Sequence, residues 1–133
     1  MKDFKKYFTT QASPALVYSA LTNPFTIELW SGDPAVMSTE PGSEFSLWEG
    51  SIIGKNLEFV ENKLVKQQWY FDDQEEESIV TIKIHDNDDH SSIELRHVNI
   101  PDEHYENIVE GWLEVYFASM LESRCKPAFY SAY

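Results

Sequence analysis

Between positions 35 and 100, apolar residues recur at every second position, and this period constrains the fold more than any other feature of the chain. Each run places its apolar side chains on one face: Phe45 and Leu47, then Val80, Ile82 and Ile84, then Ile93, Leu95 and His97. Short polar turns such as Glu61–Lys63 separate the runs. A period of two is typical of half-buried strands, so the sequence predicts an antiparallel meander with one face buried and one in water.

The flanking segments predict one more strand and three helices. The first ten residues alternate and predict a first strand. Ser13–Pro14 is a favourable helix start, and Asn23–Pro24 divides that helix from a second short one. Asp102 is placed to cap a long last helix. The apolar stripe of that helix comprises Tyr105, Ile108, Val109, Trp112, Tyr116 and Met120.

Length and charge limit the class of protein. The 133 residues fit one domain, and the net charge of −13 repels phosphate backbones and anionic lipid heads. We therefore expect no nucleic-acid partner, no membrane insertion and a cytoplasmic location. Cys125 is the single cysteine, so no internal disulfide can form. The sequence has no zinc-binding histidine spacing, no phosphate loop and no dinucleotide fingerprint, so neither a metal nor a cofactor is expected.

A set of short motifs carries a resemblance to a known family. In chain order they are VYSALTNP followed by Trp30, PGSEFSLWEG, IIGKNLEFVENKLVKQQW, IELRHVNIP and EGW. In this order and at these spacings the chain resembles the helix-grip (Bet v 1-like, SRPBCC) superfamily. Within it, the chain is most similar to the family named after the activator of Hsp90 ATPase homologue 1. The resemblance extends over residues 2–124 and leaves the tail 125–133 outside.

The resemblance implies an α+β helix-grip fold over a single domain, 1–133. In such a fold a curved antiparallel sheet of about six or seven strands wraps around a long C-terminal helix, and two short helices follow the first strand. It also implies a cavity between sheet and helix, which in many relatives takes small apolar molecules. The co-chaperone that names the family carries a further Hsp90-binding domain. Its absence before the first strand means that Hsp90 binding is not expected from this domain alone.

Ten residues are predicted to line that cavity: Trp30, Phe45, Leu47, Trp69, Ile82, Leu95, His97, Tyr105, Trp112 and Tyr116. Large aromatic rings at such positions either fill a core or shape a pocket, because tryptophan and tyrosine pair an apolar body with a polar atom. His97 has two interpretations. The favoured one is a core histidine bonded to a nearby backbone or tyrosine group, and the other is a polar anchor for a ligand.

Other groups received simpler interpretations. Glu58 alternates with apolar neighbours, so its side chain is expected to face solvent. The less favoured interpretation is a general base in the cavity. Trp48 is expected to face away from the core, and Gly54 marks a possible bulge. His85, His90 and His104 lie in or beside acidic turns and are expected to be solvated. Cys125 is interpreted as an incidental thiol. Phe117 and Leu121 lie on the far side of the last helix. They are expected to contact either a second subunit or the rings of the tail, which are Phe129, Tyr130 and Tyr133.

Three functions remain open. The first is a non-enzymatic domain that binds a small apolar or amphipathic molecule, as a monomer or weak homodimer. The second is a polyketide cyclase or aromatase, which would need polar groups inside the cavity, and for that role only His97, Glu58, Gln67 and tyrosine hydroxyls are available. The third is a chaperone-associated interaction module. An open cavity between Trp69 and Trp112 favours binding, and a filled interior with an exposed apolar patch favours the module.

Overall fold

The structure, a computed structural model, describes residues 1–48, 50–71 and 76–116, with residues 114–116 described by their backbone. Six strands and three α-helices follow one another along this part of the chain. In order they are β1 (Lys2–Thr10), α1 (Pro14–Thr22), α2 (Pro24–Ser31), β2 (Glu44–Leu47), β3 (Ile52–Val60), β4 (Leu64–Trp69), β5 (Ser78–Asp86), β6 (Ser91–Ile100) and α3 (Tyr105–Glu110). The predicted α+β class and the two short helices after the first strand are confirmed.

The six strands form one curved antiparallel sheet in the order β1-β6-β5-β4-β3-β2. Strands β2 to β6 therefore pair as the predicted meander, and β1 closes against β6 at the far edge. Val80 pairs with His97 and Ile82 with Leu95, which puts these side chains together on the buried face. The sheet also has one irregularity inside β3, where the pairing with β4 shifts between Asn56 and Glu58.

The predicted bulge at Gly54 is wrong. Gly54 keeps regular pairing on both sides, with Phe45 on β2 and Trp69 on β4. A Cβ atom at this position would collide with the Gln68 carbonyl oxygen and would lie 2.7 Å from a carbon of the Phe45 ring. The glycine is therefore required for the close approach of its neighbours and not for a change of register.

Local sequence signals set the bounds of α1 and α2. The Ser13 side chain accepts a hydrogen bond from the Leu16 backbone N–H at 3.3 Å, as an N-cap does. Asn23 ends α1 and caps α2, because its side-chain oxygen accepts from the backbone N–H of Phe25 at 2.9 Å. The inner stripe of α1 is buried against the sheet through Val17, Ala20 and Leu21.

The last helical segment begins differently from the prediction. Asp102 opens a short 3-10 turn, Asp102–His104, and caps no helix through its side chain. Its carboxylate instead lies 2.8 Å from the N-terminal ammonium of Met1. α3 follows, and Gly111–Tyr116 continues it as a wider, π-type helical turn. The predictions for the side chain of Tyr116, for residues 117–124 and for the tail 125–133 lie outside the described residues.

The hydrophobic core fills the concave side of the sheet beneath α1 and α2. Its fully enclosed members include Val17, Leu21, Ile27, Phe45, Leu47, Val65, Val80, Ile82, Ile93 and Leu95. Trp112 reaches the same core from the C-terminal segment and is 2% exposed. Among the helices that the structure describes, none has the length and apolar character needed to cross a bilayer.

Candidate functional site

An apolar recess of about 470 Å³ opens between one end of the sheet and the C-terminal helical segment. Its apolar wall consists of Trp48, Ile52, Trp69, Ile108 and Trp112. The remaining lining residues are Asp33, Ser51, Asn107 and Gly111. A smaller recess of about 350 Å³ adjoins it, shares Ile52, Trp69 and Ile108, and adds Phe71 and His104. The site is therefore mostly aromatic and aliphatic, with a few polar groups, which is the usual composition of a small-molecule pocket.

Two stacked indoles form the inner wall of the recess. The rings of Trp69 and Trp112 have centroids 4.7 Å apart and planes inclined by 27°. Trp69 is 6% exposed and Trp112 is 2% exposed, so only a small part of each ring faces the recess. The pair joins β4 to the C-terminal segment, and it therefore sets the distance between sheet and helix at the recess.

A chain of buried hydrogen bonds holds the Trp112 indole. Its Nε1–H donates to Nδ1 of His97 at 3.1 Å, so Nδ1 is the acceptor nitrogen of that ring. The other nitrogen, Nε2, then carries the proton and donates to Ser78 Oγ at 2.8 Å. The Ser78 hydroxyl donates onward to the Val98 carbonyl at 3.2 Å. Every polar atom in this chain thus has a partner, which buried groups require.

His97 is held neutral by its surroundings. Its side chain is fully buried, and burial lowers the pKa of His97 to about 3, while the carboxylate of Asp3 opposes that shift. The core-histidine interpretation is therefore confirmed. The predicted hydrogen-bond partner, a backbone or tyrosine group, is wrong. The ring nitrogens of His97 bond to a serine and a tryptophan instead.

A second buried chain holds the Trp69 indole. Its Nε1–H donates to the Gln67 side-chain oxygen at 3.1 Å, and the Gln67 amide donates to the Asn56 side-chain oxygen at 3.2 Å. The Asn56 amide then donates to the Ser38 carbonyl at 3.2 Å and to Ser43 Oγ at 3.1 Å. Gln67 and Asn56 are 3% and 0% exposed. This chain crosses β4 and β3 and fixes the loop before β2 to the sheet.

The two chains decide what the inner wall offers to a ligand. Both indole N–H groups are bonded inside the protein, to Gln67 and to His97. The surface left to the recess by Trp69 and Trp112 is therefore apolar ring. Because the rings are fixed by hydrogen bonds as well as by packing, the site is preorganised and a ligand need not order them.

Trp48 faces the recess, contrary to its prediction. It follows β2 in a turn with a φ of +49°, so the alternation that would turn it outward ends at Leu47. Its ring packs edge-on against Trp30 with centroids 5.6 Å apart. Trp30 is itself fixed, because its Nε1–H donates to the Ala20 carbonyl at 2.8 Å. The outer wall of the recess thus rests on α1 and α2.

Nine of the ten predicted lining residues divide into three groups, and the side chain of the tenth, Tyr116, lies outside the described residues. Trp69 and Trp112 lie in the wall of the recess. Six others are buried in the core around it: Trp30, Phe45, Leu47, Ile82, Leu95 and His97. Tyr105 is half-buried with the ammonium of Lys2 5.0 Å from its ring centroid. A role in ligand contact remains a prediction for all of them.

The prediction omitted several residues of the wall. Ile52 and Ile108 lie on runs whose periodicity was clear, at a strand start and on the last apolar stripe. Asp33 and Ser51 lie in turns, where no periodicity indicates direction. Gly111 has no side chain to signal its place.

The other candidate groups lie away from the recess wall or serve the fold. Glu58 is exposed and pairs across to Lys66, as the outward interpretation predicts. Within the described part of the chain, no three His, Cys, Asp or Glu side chains converge as metal ligands would. His85 and His90 are on the surface, and His104 is half-buried with its ring 5.6 Å from that of Phe71.

A curved antiparallel sheet, two short helices after its first strand and a C-terminal helical segment over a recess together define a helix-grip domain of the SRPBCC type. The family model described as Activator of Hsp90 ATPase homolog 1-like protein matches residues 11–123. The chain therefore belongs to that family, and the predicted resemblance is confirmed.

Named relatives agree with this assignment. The chain is 25% identical over 123 residues to the mouse (Mus musculus) activator of 90 kDa heat shock protein ATPase homolog 1, covering 90% of this chain and 35% of the relative. It is 30% identical over 105 residues to the homolog from Dictyostelium discoideum, covering 77% of this chain and 27% of the relative. The chain thus spans about a third or less of the length of the curated relatives that it matches.

Solved structures share the fold. An Hsp90 activator from Plasmodium falciparum matches with a TM-score of 0.80 and 25% identity, covering 90% of this chain and 94% of that one. The Aha1 dimer from Colwellia psychrerythraea matches with a TM-score of 0.78 and 17% identity, covering 95% and 96%. A protein of the dynemicin biosynthetic locus matches with a TM-score of 0.74 and 13% identity, covering 90% and 46%. The last two support the fold alone.

Proposed function

We propose that this protein binds a small apolar or aromatic-bearing molecule in the recess and does so without transforming it. The observation that carries the proposal is the convergence of Trp48, Trp69 and Trp112 on one open space of about 470 Å³. This volume lies within the roughly 300–1,000 Å³ of ordinary ligand pockets. The two buried hydrogen-bond chains further support it, because they orient the inner indoles before any ligand arrives.

Three of the polar groups that the sequence offers to an enzyme of the cyclase kind are bonded or placed elsewhere. Both ring nitrogens of His97 are bonded inside the core, and Gln67 bonds Trp69 and Asn56. Glu58 is exposed on β3. These placements favour binding over catalysis among the functions that the sequence left open.

Gly111 allows a direct test of the recess. It lines the space, and among the described residues a Cβ atom added there would meet no atom within 4 Å outside its own helix. The side chain of a Gly111→Leu variant would therefore begin in open space, and we expect it to occupy part of the recess. Gly111→Ala is the matched control, because it changes the same backbone position and leaves most of the space.

The experiment is a fluorescence titration with N-phenyl-1-naphthylamine, a neutral apolar probe. We expect saturable binding to the wild type and to Gly111→Ala, and a Kd raised at least about tenfold in Gly111→Leu. Far-ultraviolet circular dichroism and Tm establish that all three proteins are folded. Equal binding by Gly111→Leu, or no uptake by the wild type, would overturn the proposal.

A second candidate function is an interaction with Hsp90, as the names of the relatives suggest. One surface feature of this chain supports it. Phe25 and Leu29 lie one helical turn apart on α2 and are 79% and 66% exposed. An exposed pair of large apolar side chains is typical of a protein contact. Its expected occupant is an apolar patch of Hsp90.

This candidate is tested by the ATPase rate of Hsp90 with and without the chain. Stimulation by the wild type that is lost in a Phe25→Ser, Leu29→Ser double variant would support it. The Gly111→Leu variant should stimulate as the wild type does, because α2 is unchanged. An ATPase rate unaffected by the wild type would exclude the interaction for this chain alone.

A further inference from the structure

One charged side chain stands among the nine described residues that line the recess. It is Asp33, which is half-buried in the connection between α2 and β2. The other polar lining residues, Ser51 and Asn107, are neutral. The smaller adjoining recess has neither lysine nor arginine among its described lining residues. Among the described lining residues of the two recesses, the fixed charge is therefore negative.

The position of Asp33 is set by the end of α2. Gly32 terminates that helix with a φ of +83°, and its N–H donates to the Glu28 carbonyl at 2.9 Å. The Ser31 hydroxyl donates to the Asp33 carbonyl at 3.1 Å, and Ser31 Oγ accepts a hydrogen bond from the Asp33 N–H at 3.3 Å. These bonds hold the Asp33 backbone against the helix end, and this places Asp33 in the lining of the recess.

Charge complementarity follows from this arrangement. An apolar molecule with a carboxylate or phosphate end would bring like charge towards Asp33, on a protein whose net charge is already −13. A molecule with an ammonium end would gain attraction from that carboxylate and from the negative faces of the indoles around the recess. Trp48 is half-buried at the recess and supplies such a ring.

We infer that the ligand of this recess is a cationic amphiphile, an organic ammonium compound with an apolar or aromatic body. The inference rests on the proposed function and narrows it, because it excludes fatty-acid-like anions. The body lies against Ile52, Ile108 and the indoles, and the ammonium group lies at Asp33.

The test compares decyltrimethylammonium with decanoate, which share an alkyl chain of one length and differ in the sign of the head. Each is used below its micelle concentration to displace N-phenyl-1-naphthylamine from the wild type. We expect the ammonium compound to bind roughly tenfold more tightly than the carboxylate at low salt. The Asp33→Asn variant should lose most of that preference, which is read as the ratio of the two affinities within one protein.

Glu28→Gln is the matched control, because it removes one charge from an exposed position on α2, the helix that precedes Asp33, and Glu28 is not among the described residues of the recess wall. A preference that falls equally in Asp33→Asn and Glu28→Gln would show attraction by net charge alone and would overturn the inference. Tighter binding of decanoate would overturn it as well, while leaving the proposed function in place. A wild type that takes up no neutral probe would overturn the proposed function, and the inference with it.

Discussion

The indole nitrogen of Trp112 lies 3.1 Å from Nδ1 of His97, and this bond ties the C-terminal helical segment to β6, the strand next to the edge strand β1. Both residues are buried, so neither atom could exchange its partner for water without opening the structure. The bond also faces the recess side of the core, next to Trp69. The same contact therefore serves the stability of the fold and the shape of the candidate site.

Replacing Trp112 by phenylalanine should destabilise the protein. The change keeps an aromatic ring but leaves Nδ1 of His97 buried without a donor, at a cost of about 1–3 kcal/mol for the bond, with any packing loss added. Urea denaturation gives the free energy of unfolding. Tyr70→Phe is the control, because it removes an exposed bond to Glu44 and should change the value by less than about 0.5 kcal/mol. Equal effects in the two variants would contradict the role of the bond.

The free energy of unfolding should decrease as the pH is lowered, because His97 is buried in its neutral form. Its pKa is about 3 in the folded protein and 6.5 in the unfolded chain, so below pH 6.5 the unfolded state binds the extra proton. The contribution of His97 is present in full above pH 6.5 and is lost towards pH 3, at about 1.4 kcal/mol per pH unit.

The contribution of His97 to the pH dependence of stability can be separated from the contribution of the many carboxylates. An NMR titration of the imidazole carbon-bound protons should show the His97 signals unchanged down to about pH 4.5. In a His97→Gln variant the slope of unfolding free energy between about pH 6 and pH 4.5 should be smaller than in the wild type. A His97 signal that titrates near pH 6.5 would contradict the burial argument.

Gly54→Ala should be among the most damaging single changes in the sheet. Its new methyl group would press on the Gln68 carbonyl and the Phe45 ring, so one strand must move. We expect a loss of roughly 2–4 kcal/mol, measured by urea denaturation. Gly111→Ala tests the opposite case, since its methyl group meets open space on a helix and should stabilise by about 0.5–1 kcal/mol. Similar losses at both positions would argue against the close approach at Gly54.

Gln67→Met should weaken both stability and probe binding. The change leaves the Trp69 N–H and the Asn56 side-chain oxygen without their Gln67 partner, at a cost of about 1–3 kcal/mol. Gln68→Met is the matched control on the opposite face of the same strand, where the side chain is half-buried. We expect the control to bind N-phenyl-1-naphthylamine as the wild type does. A Gln67→Met protein with unchanged stability would show that the second hydrogen-bond chain is dispensable.

The sequence predicted the fold well because its signals are local or periodic. Alternation placed Phe45, Leu47 and His97 on the buried face, and the Ser13–Pro14 start and the Asn23–Pro24 break set the bounds of two helices. Those features depend on a few neighbouring residues, so a sequence shows them directly.

The candidate site was predicted less completely, for physical reasons. Trp48 was assigned outward because alternation assumes an extended backbone, and a φ of +49° breaks that assumption. The bulge was placed at the glycine, whereas the shift lies at Asn56–Glu58 and depends on how β4 pairs. The partners of His97 come from β5 and from the C-terminal segment, and a position in the sequence does not indicate such distant contacts.

The most direct test of the central claim, that the recess is a ligand site, is an NMR titration of the indole N–H signals with N-phenyl-1-naphthylamine. We predict saturable shifts, at one molecule per chain, in the signals of Trp48, Trp69 and Trp112, with little change at the backbone amides of Phe25 and Leu29. Shifts confined to those α2 amides, or indole signals that do not move at saturating probe, would contradict the claim.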